Sequence, residues 1–294
     1  NMHIYLNNQE NRNRKNKLII PFTLLFVSFF LSIVFFLLSF LRHNLFQSNY
    51  DLILFDQWLW LLSKDLLPIS SITGWHVMSD HAAWVLYLFA HLYKLVASVN
   101  WLFLSQAICL IFSSLPFWVL SRGSGINEKN SWLVCILWWL QPVVFNVNIS
   151  DFHPETWAIP VLLSSYIFSR SNRYYLWIIS LLFMIGCRDG LILIVFGIFI
   201  ENILRRKWKY AFSALAISLG WFLFIKVYLF PYYNHFSNGK IGPSESVIKY
   251  FSQVLLDPYQ ILLNINYLTC LEYLILISVA FLPFWKRSSL ITLS

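Results

Sequence analysis

Charge is what this chain has least of. Asp, Glu, Lys and Arg make up only 12% of its 294 residues, about half the share of an ordinary soluble domain. Against this, 59% of residues are hydrophobic and mean hydropathy is +0.64, which excludes a soluble globular protein. Acid is scarcer than base, 13 residues against 21, for a net charge of +8. In a soluble chain that excess would suggest nucleic acid, but here the basic residues form short clusters between apolar runs, which is the pattern of topology signals. Nucleic acid is excluded as a partner. Cysteine is also scarce: Cys109, Cys135, Cys187 and Cys270 all lie in apolar segments at wide, irregular spacing, so neither a disulfide framework nor a zinc site is readable, and packing roles are expected. No HExxH, Walker motif or nucleophile elbow occurs. Internal repeats and low-complexity tracts are absent too.

What the chain does have is aromatic surface and long apolar runs. Its 14 Trp, 15 Tyr and 27 Phe suit rings at membrane boundaries. The expected fold class is all-α, a multi-pass transmembrane helix bundle forming one domain over residues 1–294. The run from Leu18 to Leu41 has 24 uncharged residues behind Arg12, Arg14, Lys15 and Lys17, so it reads as an uncleaved first span with a cytoplasmic tail, 1–17. Further spans are expected at Trp101–Leu120, Ser131–Ile149, Glu155–Ser169, Tyr174–Cys187, Gly190–Leu204, Tyr210–Phe230 and Tyr267–Trp285, which makes about eight. Ala82–Ala97 is apolar but short and carries His91 and Lys94, and it reads as interfacial or re-entrant. Leaving it uncrossed puts 14 of the 21 basic residues on the cytoplasmic side, as the positive-inside bias requires. The expected location is the cytoplasmic membrane with the amino terminus inside, and the lipid bilayer is the first partner.

This topology gathers the informative residues on the outer side. The first outer loop, 42–100, carries Asp51, Asp56, Asp65, Asp80 and His81 among Trp58, Trp60 and Trp75, with amphipathic stretches such as Phe55–Leu62 lying along the surface. A second outer loop is expected at 231–266. Asp151-Phe152-His153-Pro154-Glu155 joins two spans. Pro154 and Glu155 alone could be simply a well-made helix start, but three ionisable side chains within five residues at the edge of an apolar bundle are costly unless they serve something. Arg188-Asp189-Gly190 joins two further runs, either as an ion pair closing a tight turn or as part of a shared outer cavity. Lys226, within a span, is expected to snorkel.

The strings Asp51-Leu52-Ile53-Leu54-Phe55-Asp56-Gln57, Asp80-His81, Asp151-Phe152-His153-Pro154-Glu155 and Arg188-Asp189-Gly190 together resemble a bacterial family of predicted membrane proteins known as domain of unknown function 2079. The resemblance runs from about Tyr50 to Phe230. That family is similar in turn to the GT-C superfamily of multi-pass glycosyltransferases, which use an acidic first outer loop and a polyprenyl-phosphate sugar donor. The resemblance implies a GT-C-like bundle transferring a sugar at the outer face. In it Asp56, and after it Asp151, are the catalytic carboxylates, while Asp51, His81, His153, Glu155, Arg188 and Asp189 bind substrate. A divalent cation is a candidate cofactor, with Asp151 and Glu155 its candidate ligands. The chain departs from the family in His81-Ala82-Ala83-Trp84, where His-Phe-Ser-Pro is usual, and in Arg188-Asp189-Gly190, where Lys-Glu-Asp is usual. Members are commonly longer, so a fragment of a longer chain is one expectation. The rival readings are a transporter or flippase of lipid-linked or anionic solutes and a structural subunit whose charges lock helices together.

Overall fold

Helices in lipid gain little from burying apolar surface against each other, so they associate through close backbone approach and hydrogen bonds between them. The first helix shows this in its spacing. The computed structural model describes residues 19–236, within which α1 spans Phe22–Asn44 and buries Leu24, Ser28, Ser32, Phe35 and Ser39. Steps of three and four put these on one face, and three of the five are serine. Ser28 Oγ lies 3.2 Å from Ser114 Oγ, Ser39 Oγ donates to the Asn148 carbonyl at 2.8 Å, and Asn148 Nδ2 returns a bond to the Phe35 carbonyl at 2.9 Å. The opposite face, including Phe22, Phe26, Phe29 and Phe30, is exposed, as a lipid-facing surface should be.

The described residues are all helical apart from connections, with no β-strand among them. After α1 come α2 (Tyr50–Ser63), α3 (Val77–Asp80) and α4 (Val85–Leu95). Then α5 (Asn100–Phe112) runs on into α6 (Ser114–Gly123) as one apolar stretch of 24 residues. Next are α7 (Glu128–Trp139) and α8 (Pro142–Ile149), followed by α9 (Glu155–Arg170), α10 (Tyr174–Cys187), α11 (Ile192–Leu204), α12 (Trp208–Phe224) and α13 (Phe230–Phe236).

Among the described residues three continuous helices are long and apolar enough to cross a membrane: Phe22–Asn44, Asn100–Gly123 and Trp208–Phe236. The expected span Ser131–Ile149 is instead a bent pair, α7 and α8, meeting at 40°, and it raises the count to four if taken as one crossing. The break follows from Pro142, which has no N–H to continue the ladder, and Pro142 begins α8 where that loss costs nothing. The helices α9, α10 and α11 have 16, 14 and 13 residues, short of the roughly 20 that a full crossing takes. At the expected end of the last described span the helix does not stop at Phe230. A π-helical turn, Ile225–Leu229, carries it through Pro231 into α13, so the helix runs at least six residues past its expected end. Lys226 is exposed in that turn. The expected span at Tyr267–Trp285 and the rest of the 231–266 loop lie outside the described residues.

Chain direction sorts the connections between two ends of the bundle. Arg122, Arg170 and Lys207 meet at one end, where Arg170 Nη1 reaches Ser124 Oγ at 3.4 Å and Lys207 Nζ donates to the Ser169 carbonyl at 2.8 Å. At the other end Arg42, closing α1, reaches Ser150 and Asp151, and Gln106, in the second turn of α5, donates to the Val147 carbonyl at 3.0 Å. The chain therefore enters residues 45–99 and leaves them at the same end. Within that stretch α4 has 11 residues, buries Val85, Leu86, Ala90 and Tyr93, and lies against α2.

Candidate functional site

One buried carboxylate ties the start of the segment 45–99 to the rest of the bundle. Asp151 is 3% exposed and accepts from the backbone N–H of Asn49 at 2.8 Å and of Leu52 at 3.2 Å. Those donors belong to the start of α2, where intrahelical acceptors are lacking, so Asp151 caps α2 from a distant part of the chain. Arg42 Nη1 stands 3.3 Å from its Oδ1. Both oxygens of Asp151 are thus engaged in holding α2. The Asp151-to-Glu155 string is in turn fixed by Gln106, whose Oε1 accepts from the His153 N–H at 3.0 Å and whose Nε2 lies 3.4 Å from the Asp151 carbonyl.

With α2 anchored there, a group of charged residues from four segments converges at this end. Asp51, in the first turn of α2, places Oδ2 4.0 Å from His153 Nδ1, and both side chains are open to solvent, 49% and 32% exposed. Arg188 donates to Glu155 in a direct ion pair, with its guanidinium 43% exposed. Of the two readings of this turn, a local ion pair or part of a shared cavity, the geometry adds a pairing across helices, because the extended backbone at Arg188 turns its side chain toward the start of α9. The Asp189 N–H donates to the His81 carbonyl at 3.0 Å, which bolts the α10–α11 turn to the end of α3. His81 sits against the Phe55 ring and 3.7 Å from the Asp80 carboxylate.

Asp80 is the member that sequence reasoning left outside the site. It is 2% exposed, and burial raises its carboxyl above the ordinary range although His81 and Arg188 pull the other way, while Asp189 and Asp51 add to the rise. Arg188 responds oppositely. Burial alone would lower it, yet Glu155, Asp189 and Asp80 outweigh that and hold it protonated more firmly than usual. Gln106 was also missed, although a lone amide in an apolar run is a readable signal. Gly186 is another, since Trp84 packs directly against its backbone, where any Cβ would collide with the indole.

Asp56 lies apart from this group. It is five residues beyond Asp51, roughly 140° around the helix, and it faces α4, where the Tyr93 hydroxyl donates to its Oδ1 at 2.8 Å. Burial raises its carboxyl above the ordinary range, with Tyr93 and His43 opposing. Asp56 and Asp151 thus have different partners, Tyr93 for the one and the start of α2 for the other. On its other side the segment 45–99 meets α13, where His76 stacks on Tyr233 with ring centroids 4.0 Å apart. Burial lowers His76 to about 4.

The residues suggested for a divalent cation do not fit one. Asp151 is occupied by Arg42 and two backbone donors, Glu155 is paired with Arg188, and among the described residues no group of three His, Cys, Asp or Glu is placed to hold a metal ion. The three described cysteines are unbridged and at least partly buried, as packing residues are.

No curated protein and no solved structure matches the chain. A family model does, over residues 41–294, which takes in the whole segment 45–99, the Asp151-to-Glu155 string and the Arg188 turn. The chain is therefore a membrane protein that belongs to the family described as predicted membrane protein, DUF2079.

Proposed function

We propose that this protein transfers a sugar from a polyprenyl-phosphate donor to a hydroxyl acceptor at the outer face of the cytoplasmic membrane, in a GT-C-like bundle of about eight crossings. The observation that carries the reading is the solvent-open pairing of Asp51 with His153, together with the Arg188–Glu155 pair at the same end of the bundle; the reading puts that end among the outer headgroups. A proton acceptor and a planar cation side by side are what this transfer needs. Nucleotide sugars are not supplied at that face, so the donor arrives on a lipid phosphate.

In this reading the acceptor oxygen attacks the anomeric carbon as its proton passes to Asp51, with His153 orienting the carboxylate. The bond between that carbon and the phosphate oxygen breaks, and its electron pair leaves on the lipid phosphate. Arg188 meets the developing charge with its two-pronged guanidinium, exchanging Glu155 for phosphate. Asp189 and His81 position Arg188 by tying its turn to α3. Asp151 positions α2. Asp56, the carboxylate first expected to act as base, stays the competing assignment because burial raises its carboxyl above the ordinary range, which strengthens it as a proton acceptor.

The test is turnover of the purified chain with a polyprenyl-phosphate hexose. Asp51→Asn should remove activity and Arg188→Lys should lower it about 10-fold or more, since the charge stays and the fork is lost, with both variants still inserted and folded. Full activity in Asp51→Asn with loss in Asp56→Asn would move the base to Asp56. Unchanged activity in both, and in Arg188→Leu with Glu155→Leu, would leave the cluster as architecture.

A transporter is favoured by one feature, the broken α7–α8 pair, whose bend borders an apolar groove of about 400 Å³ between Leu110, Phe117, Val134, Trp138, Val144 and Ile159. Discontinuous helices of this kind line transport sites. Uptake of a labelled lipid-linked sugar into vesicles without chemical turnover would decide for it.

A further inference from the structure

The opposite end of the bundle carries a dense positive charge that the proposed transfer does not use. Two tight turns, Ser171–Arg173 between α9 and α10 and Arg205–Lys207 between α11 and α12, place Arg170, Arg173, Arg205, Arg206, Lys207 and Lys209 on one surface. Both turns close in the same way. The Arg173 N–H donates to the Phe168 carbonyl and the Lys207 N–H to the Asn202 carbonyl, each at 2.9 Å, around Asn172 and Arg206 with φ of 56°. The second closure puts an arginine in the left-handed region, at a cost that asparagine or glycine would lessen.

The cations are supported without being neutralised. Of these six cations only Arg205 has a carboxylate partner among the described residues, Glu201 at 2.9 Å, and that carboxylate also accepts from Tyr166. Lys207 donates to the Ser169 carbonyl at 2.8 Å, and Lys209 Nζ sits 3.8 Å over the Tyr174 ring. Burial and the repulsion of Arg205 and Arg170 lower Lys207, with Glu201 only partly opposing. Neither α10 nor α12, which start here, has an acid in its first turn to offset the helix dipole. Immediately beyond this surface, toward the middle of the bundle, Leu176, Ile179 and Phe212 are exposed, with Tyr175 and Trp208 exposed at the boundary.

We propose that this surface is a binding site for an anionic phospholipid, its phosphate held between the two turns and its acyl chains lying along the exposed apolar faces of α10 and α12. Charge above and apolar surface below match a lipid better than any wholly polar anion. The site stands independently of the transfer reaction.

Native mass spectrometry of the full chain in mild detergent, titrated with dioleoylphosphatidylglycerol or dioleoylphosphatidylcholine, tests this. The expected result is saturation at one or two molecules of phosphatidylglycerol per chain, with retention about 10-fold or more above phosphatidylcholine. Arg173→Gln, Arg206→Gln and Lys209→Gln together should lower phosphatidylglycerol retention roughly 10- to 100-fold, while Lys64→Gln with Lys94→Gln at the other end should not. Should the triple variant fail to fold, the wild-type chain carries the test, since raising salt to about 0.5 M should strip the lipid by screening. Equal retention of the two lipids, equal loss in both sets of variants, uptake that never saturates, or indifference to salt would overturn the proposal.

Discussion

Removing the Asp151 carboxylate should release α2 from the bundle, and the size of the effect separates anchoring from proton transfer. Two backbone N–H groups and one guanidinium converge on this side chain, which is 3% exposed. Each hydrogen bond to a charged group is worth about 1.5–3 kcal/mol, and breaking one partner out of a buried pair costs about 3–5 kcal/mol. These figures describe overlapping losses and do not add, so about 3–5 kcal/mol is expected for Asp151→Ala. Asp151→Asn keeps the shape and one acceptor oxygen, and about 1–2 kcal/mol is expected, close to the loss of a helix cap. The loss falls on one docking contact. At about 1.4 kcal/mol per factor of ten, the undocked population of α2 should rise roughly 100-fold or more in the alanine variant and about 10-fold in the asparagine variant. Limited proteolysis between α1 and α2, near Phe46, reads that population when cleavage is slow. The reasoning is refuted if Asp151→Ala leaves the cleavage rate and thermal stability unchanged. If turnover then vanishes as well, Asp151 is a base and not an anchor.

Four further outcomes follow. Tyr93→Phe deletes the hydrogen bond that holds the Asp56 carboxyl down, so its pKa should rise further. If Asp56 is the base, the acid limb of the rate profile moves to higher pH, and an unmoved limb assigns the proton elsewhere. Because the folded state favours the protonated form of Asp56, the α2–α4 contact should firm as pH falls through its raised pKa and weaken as pH rises, which hydrogen exchange of α4 would show. Gly186→Ala should destabilise by about 1–3 kcal/mol through overpacking on Trp84, outweighing the gain in helix propensity, and adding Trp84→Leu should recover most of it in a thermal melt. A cysteine at Lys64, in a background without other reactive thiols, should label with an impermeant reagent from outside, and one at Ser171 only after permeabilisation. The reverse pattern would invert the proposed orientation.

Much of the architecture is readable because lipid imposes a simple rule: backbone polar groups must be satisfied within each helix, so apolar length and basic clusters reveal where helices run and where they turn. That rule suffices for Leu18–Leu41 against α1, for Tyr174–Cys187 against α10 and for the turns at Arg170–Arg173 and Arg205–Lys209. It does not show how helices bend. The break at Gln141–Pro142 and the passage of α12 through Pro231 depend on which carbonyls find other partners.

The site divides along the same line. Which residues are ionisable, and that Asp51, His153, Glu155 and Arg188 gather at one end, is determined by sequence, since a crossing count places them there. Which of them meet is decided only by the fold. Arg188 pairs with Glu155, 33 positions away, and Asp151 caps a helix that begins 101 residues before it. Asp56 and Asp51, five apart on one helix, are sent to different partners by the 3.6-residue turn. Pairing depends on helix rotation and tilt, which are set by the serine stripe of α1 and by Gln106 and Asn148 bridging helices, contacts between residues remote in sequence that no local pattern encodes.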